Sequence, residues 1–252
     1  MESSMTIEEL IQEIDQPNLT SWKLFAKGSG VNVYRRTDDD HKLVQYKCFS
    51  HIPDVTPEIF YKVALDVEYR LVWDKYLKEA KEISDGEKNG VYWQVAMALF
   101  IDNRDYTFVR DYGEYDIGGR HFYYAMTRTE PFQSIPPRKK IVRIETCQSQ
   151  TLLCSDGAKG LKSVFLYIEE PRGNVPKTLW TWVAKFGVPM YSKLTHNACI
   201  AYPNWIKDKT TKVPTVAEDE IDETAAAAMI TVENDLVNND DDDDDDEIQQ
   251  EK

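Results

Sequence analysis

The chain is short of the residues and spacings that mark most catalytic, metal-binding and membrane-spanning proteins. Its four cysteines, Cys48, Cys147, Cys154 and Cys199, are scattered without CxxC or metal-ligand spacing, which excludes a disulfide scaffold and a zinc motif. The four histidines (His41, His51, His121, His196) form no HExxH or other paired spacing, so no metal site is expected. There is no G-x-S-x-G elbow, no P-loop and no G-x-G-x-x-G ahead of a helix, so neither an enzyme nor a cofactor is expected. The longest nearly apolar stretch, Val91–Ile101, is interrupted by Gln94 and falls well short of the ~20 residues of a spanning helix. The N-terminus is acidic where a signal peptide is basic, and no lipidation motif appears. These absences predict a cytoplasmic protein.

Basic charge is lacking too. Of 44 acidic residues, 16 fall in residues 213–252 with a single lysine, Lys252. The first 212 residues are left with 28 acidic and 29 basic groups, a nearly neutral body. That excludes a strongly basic nucleic-acid binder. Asp240–Glu247 is an unbroken acidic block, so 213–252 is expected to be a disordered tail and 1–212 a folded domain. At 42% hydrophobic and 12% aromatic over 252 residues, the chain can bury a sizeable core.

Residues 6–16 place Ile7, Leu10, Ile11 and Ile14 at helical spacing, with Thr6 as N-cap and Glu9 three on. Trp22–Arg36 alternates around a Gly28-Ser29-Gly30 hairpin turn. Leu43–Ile52 reads as a strand, Pro57 opens a helix through Asp66, and Tyr69–Ala80 continues helically. Lys81–Ile83, Gly90–Leu99, Arg104–Tyr112, His121–Thr127, Ile141–Leu153 and Ser163–Glu169 read as strands. Pro176 opens a long helical segment, Lys177–Tyr202, interrupted near Gly187-Val188-Pro189. The short connections favour antiparallel order, so the chain is expected to be α+β with one large antiparallel sheet.

Four constellations stand out, each with an ordinary reading beside a sharper one. Arg70 and Asp74 share a helix face at i, i+4: a surface ion pair, or a charge-balanced guanidinium that grips a phosphate. Trp93 and Val95 share a strand face near Tyr106: core packing, or an aromatic cage for a quaternary ammonium, worth ~0.5–2 kcal/mol per ring. Phe186, Met190 and Val183 recur at helical spacing, with Trp180 beside them: a docked helix, or a movable lid weakened at Pro189. The Pro-rich loop 129–140 carries Phe132 and Ile135 beside Arg138, Lys139 and Lys140. It is either an ordinary loop with a solvated basic flank, or a set of exposed apolar tips with a basic rim that meets a membrane surface.

The segments Gly30–Arg35, Glu68-Tyr69-Arg70-Leu71-Val72-Trp73-Asp74, Val91-Tyr92-Trp93, Asn103-Arg104-Asp105-Tyr106, Ser155–Gly160 and Lys185–Pro189 resemble the START lipid-transfer family, over roughly residues 20–206. The likeness is to its phosphatidylcholine-carrying members and their phospholipid-carrying relatives. It implies a helix-grip fold, a curved antiparallel sheet around a long C-terminal helix that encloses a lipid tunnel. It further implies that Arg70 contacts a lipid phosphate with Asp74 balancing it. Trp93, Tyr106 and Val95 would form a choline cage, and loop 129–140 and the terminal helix a membrane gate. Cys147 falls where the phosphatidylcholine carrier has a third cage tyrosine, Ala64 where it has another tyrosine, and Ser149 where it has a head-group glutamine flanked here by Gln148 and Gln150. The resemblance therefore implies a monomeric, non-enzymatic phospholipid transfer protein in transient contact with membranes. Phosphatidylcholine is favoured, and phosphatidylethanolamine is open through Ser149 or a glutamine. The alternatives are the same fold as an interaction module, with the acidic tail docking a protein partner, or as a carrier of sterol or ceramide.

Overall fold

The structure, a computed structural model, describes residues 4–38, 43–97, 101–170, 172 and 186–209. Helix α1, Ile7–Asp15, begins at a capping box: the Thr6 hydroxyl accepts from the Glu9 N–H at 3.2 Å, and the Thr6 N–H donates to Glu9 at 2.7 Å. Three strands follow: β1 (Lys23–Gly28), β2 (Val31–Asp38) and β3 (Leu43–Ile52). The β1–β2 turn puts Ser29 and Gly30 at φ 50° and 76°, the left-handed pair that a two-residue hairpin requires. A side chain at position 30 would strike the carbonyl of His51, 2.5 Å from its first carbon.

Helices α2 (Pro57–Leu65) and α3 (Val67–Trp73) lead to β4 (Leu77–Asp85), β5 (Lys88–Val95), β6 (Asn103–Ile117), β7 (Arg120–Thr129), β8 (Ile141–Arg143), β9 (Cys147–Ser155) and β10 (Leu161–Glu169). The last helix, α4, runs Val188–Lys209. The sheet is ten-stranded in the order β1-β2-β3-β10-β9-β7-β6-β5-β4, antiparallel throughout that path, with β8 added parallel to β6. The expected α+β antiparallel sheet with a C-terminal helix is therefore present.

Three expected boundaries move. The helix predicted over Tyr69–Ala80 stops at Trp73, and Leu77 already lies in β4. Buried Leu77, Ala80 and Ile83 are spaced by three because a β-bulge between Leu77 and Glu79 shifts the register. Ile83 then faces the side opposite to Leu77 and Ala80. The strand predicted over Ile141–Leu153 is two strands. The terminal helix has Pro189 in its first turn, where a missing N–H costs little, and continues past Tyr202 to Lys209. Residues 177–185, including the predicted lid residues Trp180 and Val183, lie outside the described residues, as does the acidic tail.

Both faces of the sheet are covered. On one, α1 buries Leu10 against Phe122, Tyr124, Leu152, Cys154 and Val164, and Glu13 pairs with buried Lys47 at 2.7 Å. On the other, α2, α3 and α4 pack around Tyr61, Val63, Tyr69, Ala198, Cys199 and Tyr202. The Tyr69 hydroxyl donates to the carbonyl of Ala198 at 2.8 Å, and Tyr202 donates to Asp66 at 3.1 Å. These bonds tie α4 to α3 and its cap.

Loop 130–140 belongs to the first of these faces. Phe132 is buried at 3% exposure with Ile83 and Tyr92, and Ile135 packs beside it. Gly90 makes room: a Cβ there would stand 2.5 Å from the Phe132 ring. The loop is pinned where Asp85 accepts from the N–H groups of Gln133 and Ser134, and Arg138 reaches Glu79 at 2.8 Å. Asp105, fully buried, receives both arms of Arg143 at 2.7 and 2.9 Å, which seats β8 on β6. The expectation of exposed apolar tips at Phe132 and Ile135 is thus corrected. Arg143→Leu would strand a buried carboxylate and is expected to cost about 3–5 kcal/mol. Chemical denaturation reads this directly, and wild-type stability would refute the role given to the pair.

Candidate functional site

On the face shared with α2, α3 and α4 the sheet does not close onto the helices. A cavity of about 1030 Å³ lies between them, at the upper end of the ~300–1,000 Å³ typical of ligand pockets. Alternation decides which side chains reach it. From β10 come Ser163, Phe165, Tyr167 and Glu169; from β9, Cys147, Ser149 and Thr151; from β6, Arg104, Tyr106, Phe108 and Arg110. Strands β2 and β3 add Val31, Val33, Val44 and Tyr46, and the helices add Phe60, Val63, Trp73 and Tyr191. Most of this wall is hydrocarbon or aromatic; one group of its charged side chains, Arg70, Arg104 and Glu169, lies with Trp93 and Tyr106, and another, His51, Asp54, Lys193 and His196, lies by the end of β3 and α4.

Arg70 stands in the first of these groups. Asp66 caps α3 by accepting from the Tyr69 N–H at 2.8 Å, and Asp74 ends the helix as its C-cap. One helical turn thus aims both charged groups the same way. The Arg70 guanidinium meets Asp74 at 3.2 Å, with Arg70 19% and Asp74 5% exposed at their side chains. This is not a solvated surface pair. Tyr191 of α4 accepts from Arg70 at 2.5 Å and donates to Asp74 at 3.1 Å, closing a triangle, and burial pushes its phenol well up. The guanidinium lies over the Trp93 ring, 4.5 Å from its centroid, and 5.3 Å from that of Trp73. Arginine has five N–H donors, so the pair and the phenol leave capacity for an anion.

Trp93 and Tyr106 are directly opposed across β5 and β6. Phe108 fills the space beside them, edge-on to Trp93 and stacked on Tyr106, each at 5.2 Å. Both predicted cage aromatics therefore line the cavity. So do Cys147 and Ser149, whose hydroxyl is engaged by Thr127 at 2.7 Å. Burial raises the Cys147 thiol to about 12, so it stays a thiol. Val95 packs with Val67, Leu77, Ala80 and Val91 and is not among the lining residues. Gln150 faces away: it holds the backbone of Met5 at 2.8 and 2.9 Å.

Of the predicted gate, Met190 accepts a contact from the Tyr76 hydroxyl at 3.7 Å, Phe186 is exposed, and the adjoining Gly187 and Val188 line the cavity. Phe132, Ile135, Arg138, Lys139 and Lys140 line none of it. Sequence reading missed Tyr191, Arg104 and Glu169. Glu169 and Arg104 had a legible signal, since Glu169 shares the odd-numbered face of β10 with Phe165 and Tyr167, and Arg104 the even-numbered face of β6 with Tyr106. The Oε2 atom of Glu169 accepts from Tyr106 at 3.2 Å and from Tyr167, and burial raises its carboxyl. The buried Trp73 and Trp93 indole N–H groups and the Tyr46 hydroxyl have no hydrogen-bond partner among the described residues.

The sequence pattern of the START domain family matches residues 5–206. The chain belongs to that family. It is 32% identical over 196 residues to the phosphatidylcholine transfer protein of Homo sapiens, covering 77% of this chain and 92% of that one. With the phosphatidylcholine transfer protein of Rattus norvegicus it shares 31% over 202 residues, 79% of this chain and 94% of the other. Human START domain-containing protein 10 is 31% identical over 189 residues, 73% of this chain and 63% of that protein. The crystal structure of human STARD10 superposes with a TM-score of 0.65 at 24% identity, over 85% of this chain and 92% of that one. The fold is therefore the helix-grip fold of START domains, and two of the relatives named are phosphatidylcholine transfer proteins. Among the described residues no helix is long and apolar enough to cross a membrane.

Tyr191→Phe removes the hydroxyl that joins α4 to both Arg70 and Asp74. A loss of about 1.5–3 kcal/mol is expected, as for a buried hydrogen bond to charged groups. Equilibrium unfolding measures it, and an unchanged midpoint would mean that the triangle carries no energy.

Proposed function

We propose that the chain binds one glycerophospholipid in this cavity and exchanges it between membranes without chemical change, with phosphatidylcholine the favoured cargo and phosphatidylethanolamine the second. The energetic case is simple. Each acyl CH₂ moved into water costs ~0.8 kcal/mol, so two long chains represent on the order of 20 kcal/mol. Polar contacts of a few kcal/mol cannot replace that. Affinity must come from the apolar wall, and selectivity from the charged end.

The observation that carries the reading is Arg70, held over the Trp93 ring by Asp74 and Tyr191 at the polar end of an otherwise greasy cavity. A guanidinium fork fits phosphate oxygens, and sterol and ceramide carry no phosphate to meet it. Trp93, Tyr106 and Phe108 offer π faces to a head-group cation. Cys147 is too small to complete such a cage, which keeps the ethanolamine lipid in play. At the start of α4, Gly187 and Val188 line the cavity, with the gate residues Phe186 and Met190 next to them in the chain. Opening there at a membrane would expose apolar surface to lipid instead of water.

Arg70→Gln keeps a shorter, neutral hydrogen-bonding group and removes the charge. Vesicle-to-vesicle transfer of phosphatidylcholine is expected to fall about 10–100-fold, the equivalent of one charge-assisted contact, while the far-ultraviolet dichroism stays that of the wild type. Transfer at the wild-type rate by the folded variant would remove Arg70 from the site.

A further inference from the structure

Glu169 is a carboxylate where the lipid-binding reading, as so far argued, has no use for one. It ends β10, opposite Cys147 of β9 and Val44 of β3, and lines the cavity. Its hydrogen-bond partners among the described residues are the phenols of Tyr106 and Tyr167, both on Oε2. The cation that acts on it is Arg104. That guanidinium donates instead to the backbone carbonyls of Asp102 at 3.1 Å and Arg172 at 2.9 Å. Two phenols can hold a carboxylate in place, but they cannot neutralise it. A buried charge without a counter-charge is costly. Burial holds this carboxyl above the usual range. In an empty cavity its ionisation therefore lowers stability as pH rises from the ordinary carboxylate range through its raised value. A bound cation would recover that loss.

The surroundings fit a cation. Tyr106, Tyr167 and Tyr46 turn aromatic surface toward the same end of the cavity, and the Tyr46 hydroxyl is buried without a hydrogen-bond partner among the described residues. Tyr106 is also the cross-strand neighbour of Trp93, whose ring lies under Arg70. This part of the cavity carries charges of both signs, with Arg104 and Arg110 also among its lining residues. A guanidinium stands on the Trp93 side and a carboxylate beyond Tyr106, in the sense needed by a head group that carries phosphate and ammonium together.

We infer that Glu169 is the counter-ion for the ammonium of the bound phospholipid, and that it selects zwitterionic phospholipids over anionic ones. The inference rests on the phospholipid reading and adds to it the residue that discriminates against anionic head groups. The small Cys147 opposite Glu169 leaves room for the nitrogen to approach the carboxylate. A primary ammonium could donate to it directly, and a trimethylammonium could meet it by charge alone.

The test offers the full chain vesicles containing phosphatidylcholine, phosphatidylethanolamine and phosphatidylglycerol in equal amounts with identical acyl chains, and counts the lipid loaded by native mass spectrometry. The wild type is expected to take the two zwitterionic lipids at least about tenfold over the glycerol lipid. Glu169→Gln keeps an acceptor for both phenols. Its loading of the two zwitterionic lipids should fall, with that ratio reduced to within about twofold. The ratio of choline to ethanolamine lipid in the wild type identifies which ammonium is taken. A wild type that loads phospholipid without regard to head-group charge overturns the assignment and leaves the phospholipid reading standing. So does a Glu169→Gln chain that keeps the full preference. A wild type that loads no phospholipid overturns both. Were that variant to fail to fold, Glu169→Met, which keeps the side chain's length without its charge, is measured the same way, and retention of the full preference there overturns the assignment.

Discussion

A sheet that is apolar on both faces has to be covered twice, and in this chain the two coverings differ. One face is sealed by α1 and by loop 130–140, which fit closely enough that Gly90 has to lack a side chain to admit Phe132. The other is spanned by α2, α3 and α4, which hold to each other through Tyr69, Tyr202 and Asp66 and leave about 1030 Å³ unfilled. Protein interiors ordinarily pack at crystal-like density, so apolar surface left around so large a volume is a standing cost. It is recovered only when hydrocarbon enters. The cavity, more than any single side chain, is what the rest of the structure serves.

The charged end follows from the same constraint. Groups that border an apolar volume cannot rely on water. Asp74 answers Arg70, Tyr191 bridges the two, and Trp93 covers the guanidinium with its ring. Arg143 answers Asp105 on the opposite face of the same strands. Glu169 departs from this pattern, since phenols hold it and no cation among the described residues closes on it. A departure of that kind is where a ligand's charge has a place to go. It also distinguishes the roles of neighbouring residues in one motif: in Asn103-Arg104-Asp105-Tyr106, Asp105 secures β8, while Arg104 and Tyr106 face the cavity.

Much of this was readable from the residues. Alternation along 163–169 and 104–110 was visible, the Thr6–Glu9 cap was written in the sequence, and Arg70 with Asp74 could be placed on one helix face. What could not be read depended on contacts distant in the chain. Leu77, Ala80 and Ile83 have helical spacing, and only pairing with β5 and a bulge make them a strand. Phe132 looked free because nothing local shows that Gly90, some forty residues earlier, opens a slot for it. Gln150 looked available for a head group until α1 settled on the far face and its Met5 took the amide. Glu169 resembled a charged strand end, and its burial comes from β3, β6 and β9 together.

The most direct measurement is native mass spectrometry of the full-length chain as purified, followed by extraction and identification of whatever it carries. One phospholipid per chain, with a nitrogen-bearing head group and two acyl chains, is the predicted result. An empty protein, or a neutral lipid such as a sterol or ceramide in stoichiometric amount, would contradict the account at its centre.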